Sequence, residues 1–175
     1  MKLFYYEEFI SEEQAKRLIE HIHEDVRNKV EMTSNFRDIR KQLAVVYGNK
    51  EYRYFNQVHH PKKMPKWLKK LAIRAAQIQD RPDCYYNQVL YNRFSNGYGI
   101  GMHTDAEDIY KDKYGNVGAV AVVSIGDTKT PHIVEGEKYT VEHCSLFVMS
   151  SGKMRHSVGK AKGTRYSITF RHIPN

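Results

Sequence analysis

The chain has 175 residues, 41 % apolar and 27 % charged, with 5 Pro and 11 Gly. That is the length of one domain with a substantial core, and it excludes a collagenous, mucin-like or largely disordered polypeptide. Lys and Arg number 28 against 20 for Asp and Glu, a net charge of +8; a basic balance favours polyanionic partners, nucleic acid above all, although solubility alone also makes small domains basic. The longest apolar run, Ala119 to Val123, is far short of the ~20 residues that span a bilayer. The first ten residues lack the apolar stretch of a secretory leader. Cys84 and Cys144 make no disulfide framework. The expectation is a monomer with no membrane partner, not secreted, in a reducing compartment that is cytoplasmic or nuclear.

In chain order, Met1 to Tyr6 reads as a short strand. Ser11 and Gln14 have the spacing of a capping box, and Ala15, Leu18, Ile19, Ile22 and Val26 follow at helical spacing, which predicts an amphipathic helix. Tyr47, Tyr52, Tyr54 and Phe55 then lie among Arg40, Lys41, Lys50 and Arg53. Interleaved aromatics and cations suit the stacking of bases and the tracking of phosphates; a β-hairpin with core-facing aromatics accounts for the same pattern. A second helix is predicted from Met64-Pro65, with Pro in its first turn and Leu68, Leu71, Ala72, Ala75 and Ile78 buried. Its Lys66, Lys70 and Arg74 stripe reads first as a solvated face. From Tyr85 the period changes to two. Tyr85 to Phe94, Gly118 to Ile125, Lys138 to Glu142, Ser145 to Ser150 and Thr164 to His172 read as strands, with Thr130 to Val134 a shorter one. Helices first and antiparallel-type strands after them predict an α+β fold whose β part is a sandwich or double-sheet jelly roll.

Two segments carry chemistry. In an extended stretch, His103 and Asp105 point to the same side and reach one point. A second His, distant in sequence, completes a two-His-one-carboxylate triad that leaves coordination positions open and suits Fe(II) activating dioxygen. With nine histidines a partner is always available, and the alternative is a surface His beside an Asp turn. In the last strand, one face carries Arg165, Ser167, Thr169 and Arg171. Such a face is either an ordinary solvent side or the wall of a polar cavity. Arg165 and Arg171 lie roughly 20 Å apart along the strand, and their side chains, leaning together, could grip the two ends of a small dicarboxylate. Iron beside a dicarboxylate grip suggests 2-oxoglutarate. Asn92 and Phe94 share a strand face with Leu90, and Asn92 is either a sheet-edge amide or one aimed at the cofactor.

Together these segments resemble the AlkB-like 2-oxoglutarate/Fe(II) dioxygenases. The pattern N-x-Y-x-x-G-x-x-I/L-x-x-H-x-D is matched from Asn92 to Asp105, and R-x-N/S-x-T-F-R from Arg165 to Arg171. Between them, Val122 to Gly126 is similar to the family's serine-containing core strand. Ser145 to Ser150 with Arg155 to Val158 is similar to the strand pair that ends at the distal metal ligand. The likeness runs from about Arg40 to Ile173. It implies one oxygenase domain over 1–175, built on a double-stranded β-helix (jelly-roll) core at 85–173 with N-terminal helices packed on one side. A nucleotide lid is expected at about 36–60.

By position, the resemblance implies that His103, Asp105 and His156 bind Fe(II), and that Asn92, Phe94, Arg165, Ser167 and Arg171 form the 2-oxoglutarate site, with Arg165 on the distal carboxylate. Phe94 stands where the family usually has Tyr, which removes one hydrogen bond to the co-substrate. Arg40, Tyr47, Tyr52, Tyr54 and Glu107 are the expected substrate contacts, Glu107 reaching the target base. The implied reaction uses dioxygen to hydroxylate or demethylate a nucleobase in DNA or RNA, in repair or modification; a duplex base must first be flipped out. Two alternatives remain at this stage: the same chemistry on a protein side chain or small molecule, and a catalytically silent nucleic-acid-binding module.

Overall fold

The computed structural model describes residues 2–30, 42–54, 57–95 and 97–174. Ser11 opens the first helix as its spacing requires. The Gln14 amide donates to Ser11 Oγ at 3.2 Å, and the Ser11 amide donates to Gln14 Oε1 at 2.9 Å, so two N–H groups that helix geometry leaves orphaned find partners. Helix α1 runs Glu12–Val30 and buries Ala15, Leu18 and Ile22. Ser11→Ala deletes one half of the box and is expected to cost about 1 kcal/mol. Urea unfolding should show a lower midpoint at unchanged slope; an unmoved midpoint would mean that the box holds nothing.

Helix α2 is Lys66–Gln77, and Pro65 is its N-cap residue rather than part of its first turn. Leu68, Leu71, Ala72 and Ala75 are buried as their spacing predicts, but Ile78 is 40 % exposed. It is the C-cap, where the chain leaves the helix and the packed face ends.

The strands are β1 (Leu3–Tyr6), β2 (Gln42–Tyr47), β3 (Tyr52–Tyr54), β4 (Gln57–His59), β5 (Gln88–Phe94), β6 (Ile100–His103), β7 (Val120–Gly126), β8 (His132–Val134), β9 (Glu137–Tyr139), β10 (Ser145–Met149), β11 (His156–Val158) and β12 (Arg165–Arg171). A six-stranded sheet has the order β1-β10-β7-β12-β5-β2, a four-stranded sheet the order β6-β11-β8-β9, and β3 and β4 form a separate hairpin. Every pairing within the two larger sheets is antiparallel. This is the α+β jelly roll that the change of period predicts.

Alternation divides each central strand between two cores. Val89 and Tyr91 of β5, Tyr166, Ile168 and Phe170 of β12, and Ala121, Val123 and Ile125 of β7 face outward. They pack with Ala15, Leu18 and Ile22 of α1 and with the buried face of α2 in the larger core. On the inward face Val120, Val122, Phe147 and Met149 meet Val134 of the smaller sheet. Inward positions of β12, and Gln88 and Asn92 of β5, carry polar groups instead, so burial on one face fixes the register and thereby sets polar groups on the other. No helix among the described residues is long and apolar enough to cross a membrane.

Candidate active site

Strands β6 and β11 pair in the smaller sheet with His103 directly across from His156, which brings two imidazoles 53 residues apart in sequence to one place. Their ring centroids are 4.2 Å apart. Asp105 follows two residues after His103. It is held by its backbone N–H, which donates to the Gly152 carbonyl at 2.8 Å, while the Gly152 N–H donates to Gly118 at 2.9 Å. Gly152 is required here, since a Cβ on it would stand 2.4 Å from the Asp105 carbonyl oxygen. The ligand-type atoms of His103, Asp105 and His156 lie within 4.8 Å of one another.

Each ring is oriented from behind. A carbonyl only accepts, so His103 Nδ1–H donates to Gly101 at 2.8 Å and His156 Nδ1–H to Met154 at 3.0 Å. The lone pairs on both Nε2 atoms are thereby directed at Asp105, 3.9 Å and 3.8 Å from its carboxylate oxygens. A backbone partner on one ring nitrogen is the usual way a protein readies the other for a metal. Burial alone would raise the Asp105 pKa, but Arg171, His156 and His103 outweigh it and hold the group as a carboxylate. Burial pushes His156 towards its neutral, ligating form, against the pull of Asp105. The chemistry of this donor set, two imidazoles and one carboxylate on one side of a point, suits a divalent iron with positions left open.

The cavity between the sheets is lined by Asn92, His103, Asp105, His132, His156, Ser167, Thr169 and Arg171, with apolar walls from Leu90, Val122 and Phe147. Asn92 and Ser167 are directly paired across β5 and β12. The two arginines of β12 are at opposite ends of this face. Arg171 donates to Asp105 at 2.7 Å and lies over the Tyr110 ring at 5.5 Å. Arg165 is 0 % exposed, and none of its three guanidinium nitrogens has a hydrogen-bond partner. Burial lowers its pKa to about 10, partly opposed by Asp127, so it remains a cation at neutral pH. A buried cation with no hydrogen-bonded acceptor is unfavourable unless a ligand supplies one. A small dicarboxylate fits this demand, one end at Arg165 and the other towards the histidines.

Phe94 is buried directly across the ladder from Arg165 and does not border the cavity. Glu107, with Glu51, Val58, Asp108 and Ile109, lines a groove between the β3–β4 hairpin and the segment after Asp105. Tyr47 is corrected as a substrate contact: it is 2 % exposed and belongs to the helix-side core. Tyr52 and Tyr54 are the first and third residues of β3, paired with His59 and Gln57. Arg40 lies outside the described residues. Lys50, grouped above with the phosphate-tracking cations, donates to the Pro174 carbonyl at 3.1 Å.

Three residues of the site escape the sequence reading. Tyr110 sits in the loop after the H-x-D segment and donates to Gln88; no periodicity marks it. Gly152 betrays itself only through the close approach it permits. His132 could have been found, because it alternates with Val134 on a short strand and so faces inward.

A family model described as the 2OG-Fe(II) oxygenase superfamily matches residues 2–171. Uncharacterized protein L905 of Acanthamoeba polyphaga mimivirus is 23 % identical over 183 residues, which is 95 % of this chain and 82 % of that protein. Among solved structures, OsALKBH1 superposes with a TM-score of 0.64 at 16 % identity, covering 97 % of each chain. An oxidoreductase of the 2OG-Fe(II) oxygenase family from Burkholderia pseudomallei superposes with a TM-score of 0.63 at 13 % identity, covering 98 % of this chain and 84 % of that one. At such identities the structural likeness speaks for the AlkB-like fold. The match across 2–171 goes further: this chain belongs to the 2OG-Fe(II) oxygenase superfamily, oxidoreductases that work with Fe(II), 2-oxoglutarate and dioxygen.

Proposed function

We propose that the chain hydroxylates or demethylates a nucleobase in DNA or RNA, with Fe(II) on His103, Asp105 and His156 and 2-oxoglutarate on Asn92, Arg165, Ser167 and Arg171. The observation that carries the cofactor half is the buried guanidinium of Arg165, without a hydrogen-bond partner, on the same face of β12 as Ser167, Thr169 and Arg171, which border the cavity that holds the three ligand-type side chains. When bound, iron and 2-oxoglutarate supply the oxidation, with dioxygen consumed and succinate and carbon dioxide released. The chain's own residues position it. Gly101 and Met154 hold the two rings by their Nδ1–H groups, Arg171 orients Asp105, and Leu90, Val122 and Phe147 give the cavity apolar walls.

The nucleobase half rests on the net charge of +8 and on the aromatic and cationic residues of the β3–β4 hairpin beside the groove. Among the described residues the groove is lined by Glu51, Glu107 and Asp108 with Val58 and Ile109. Carboxylates so placed favour a base that carries positive charge through N-methylation. The same lining supports a second reading, an N-methylated cationic side chain of a protein.

Incubation with Fe(II), 2-oxoglutarate and air against methylated oligonucleotides and methylated peptides separates the two. Formaldehyde and succinate should form with an oligonucleotide. Binding should weaken with salt at a log–log slope of about −0.7 per phosphate on single strands. Tyr52→Ala or Tyr54→Ala should lower oligonucleotide turnover without touching substrate-free 2-oxoglutarate decarboxylation, because stacked bases contribute about 1–3 kcal/mol each. Glu107→Gln should change which base is accepted more than strand affinity. Turnover of a peptide and of no oligonucleotide would overturn the nucleobase reading in favour of the second.

A further inference from the structure

We infer that His132 belongs to the 2-oxoglutarate site, its Nε2–H donating a hydrogen bond to the same distal carboxylate that Arg165 meets. The inference rests on the co-substrate reading above and adds a residue from the opposite sheet.

His132 opens β8, an interior strand of the smaller sheet, paired with Val158 of β11 on one side and Tyr139 of β9 on the other. Its neighbour on the same face, Val134, is fully buried in the apolar core between the sheets. An imidazole in this position is 6 % exposed and borders the cavity together with Asn92, Ser167 and Thr169. Its Nε2 is buried without any hydrogen-bond partner. The Phe147 ring stands edge-on to it at 5.9 Å, which fixes the ring plane without satisfying a polar atom.

His132 is also not among the side chains whose ligand atoms cluster with Asp105. Arg165 shares the β12 face of Ser167 and Thr169, which border the cavity with His132, and its guanidinium, with burial and His156, disfavours a charged ring at His132. This end of the site thus holds two buried polar groups without hydrogen-bond partners: a guanidinium, which only donates, and the His132 Nε2. An Nε2–H finds no acceptor in a guanidinium. One carboxylate, with about four lone-pair sites, satisfies both at once. On the larger sheet the residues paired with Arg165 are Phe94 and Gly126, neither with a side-chain donor, and His132 adds one from the smaller sheet.

The test is calorimetric and anaerobic, on protein loaded with Mn(II). Two probes are titrated: 2-oxoglutarate, and 2-oxopentanoate, which has the same 2-oxoacid head and chain length but no distal carboxylate. Relative to wild type, His132→Phe should weaken 2-oxoglutarate roughly 10- to 100-fold, the range of one charge-assisted hydrogen bond, and leave 2-oxopentanoate within about twofold by the same reasoning. His132→Gln, which restores an N–H at similar reach, should recover part of the loss. Thermal melting shows whether each variant is folded; should the Phe variant unfold, His132→Asn, polar but too short to reach, repeats the comparison. Equal 2-oxoglutarate affinity in wild type and variant overturns the inference, and so does an equal loss for both probes. A wild-type protein that binds neither probe overturns the co-substrate reading itself.

Discussion

Asp105→Ala is expected to remove metal binding and turnover together. Asp105 is the carboxylate of the His103, Asp105 and His156 group, is buried, and faces both Nε2 atoms. Without it, two imidazoles and the Arg171 guanidinium surround the metal position, and that group supplies no negative charge to offset a dication. Loss of an outer partner of a metal ligand already costs 10–100-fold, so loss of the ligand itself should lower succinate formation by more than about 100-fold. The substitution also removes the acceptor of the 2.7 Å Arg171 bond, and breaking a buried ion pair from one side costs about 3–5 kcal/mol. Asp105→Asn separates the two effects. It keeps an oxygen that accepts from Arg171, so more of the stability survives, while the charge the metal needs is gone. His103→Ala, at a partly exposed position, should abolish metal binding with a smaller drop in melting temperature. Iron content by elemental analysis, succinate yield and thermal melting read these outcomes; full iron occupancy and turnover in Asp105→Ala would sink the metal assignment.

Much of this site was legible because strand alternation is a rule of two. Placing His103 and Asp105 on one side, and Arg165, Ser167, Thr169 and Arg171 on one face, follows from the pleat alone; the structure brings all of them but Arg165 to the border of one cavity and buries Arg165 on the same strand face. The capping box at Ser11 and the buried face of α2 were equally local. What local pattern could not choose was the distal histidine. Nine were available, and only the pairing of β6 with β11, a contact across 53 residues, selects His156; the family resemblance supplied that information before the geometry did. The six-residue separation of the two arginines was read as a grip with both side chains leaning inward. In the fold Arg171 is engaged with Asp105 and only Arg165 waits for a partner.

Tyr47 shows the opposite failure. An aromatic near cations was read as a base-stacking residue, but burial on a strand end under the helices satisfies it as core. Composition cannot distinguish these fates, because both reward the same ring. His21 and His23 likewise serve packing, the first stacked on Trp67 at 5.0 Å and the second within 3.1 Å of the Tyr166 hydroxyl. His132 was passed over for a related reason. A lone histidine on an apolar face is usually a satisfied core residue, and only the absence of any partner on its Nε2 makes it more than that.

Arg165→Met is expected to abolish high-affinity 2-oxoglutarate binding and, at the same time, to raise the melting temperature of the ligand-free protein. The two effects share one cause. Arg165 is fully buried, and its nitrogens have no hydrogen-bond partner; burial disfavours its charge enough to bring its pKa down to about 10. Because the cation is less favoured in the folded chain than in the unfolded one, this destabilisation is present throughout the pH range below about 10 and relieved above it. Met fills similar volume with an apolar chain and removes the buried charge. Leaving a buried polar group unsatisfied costs about 1–3 kcal/mol, so the ligand-free variant should melt roughly 2–10 °C higher. With a dicarboxylate bound the sign reverses, since the guanidinium fork then makes charge-assisted bonds worth about 1.5–3 kcal/mol. Affinity for 2-oxoglutarate should therefore fall by about one to two decades. Arg165→Lys should restore only part of it, because an ammonium lacks the planar fork. Melting curves with and without 2-oxoglutarate in the presence of Mn(II) read both quantities on one sample. A variant that melts lower without ligand would show Arg165 to be a structural residue, and one that keeps the full ligand-induced stabilisation would remove it from the co-substrate site.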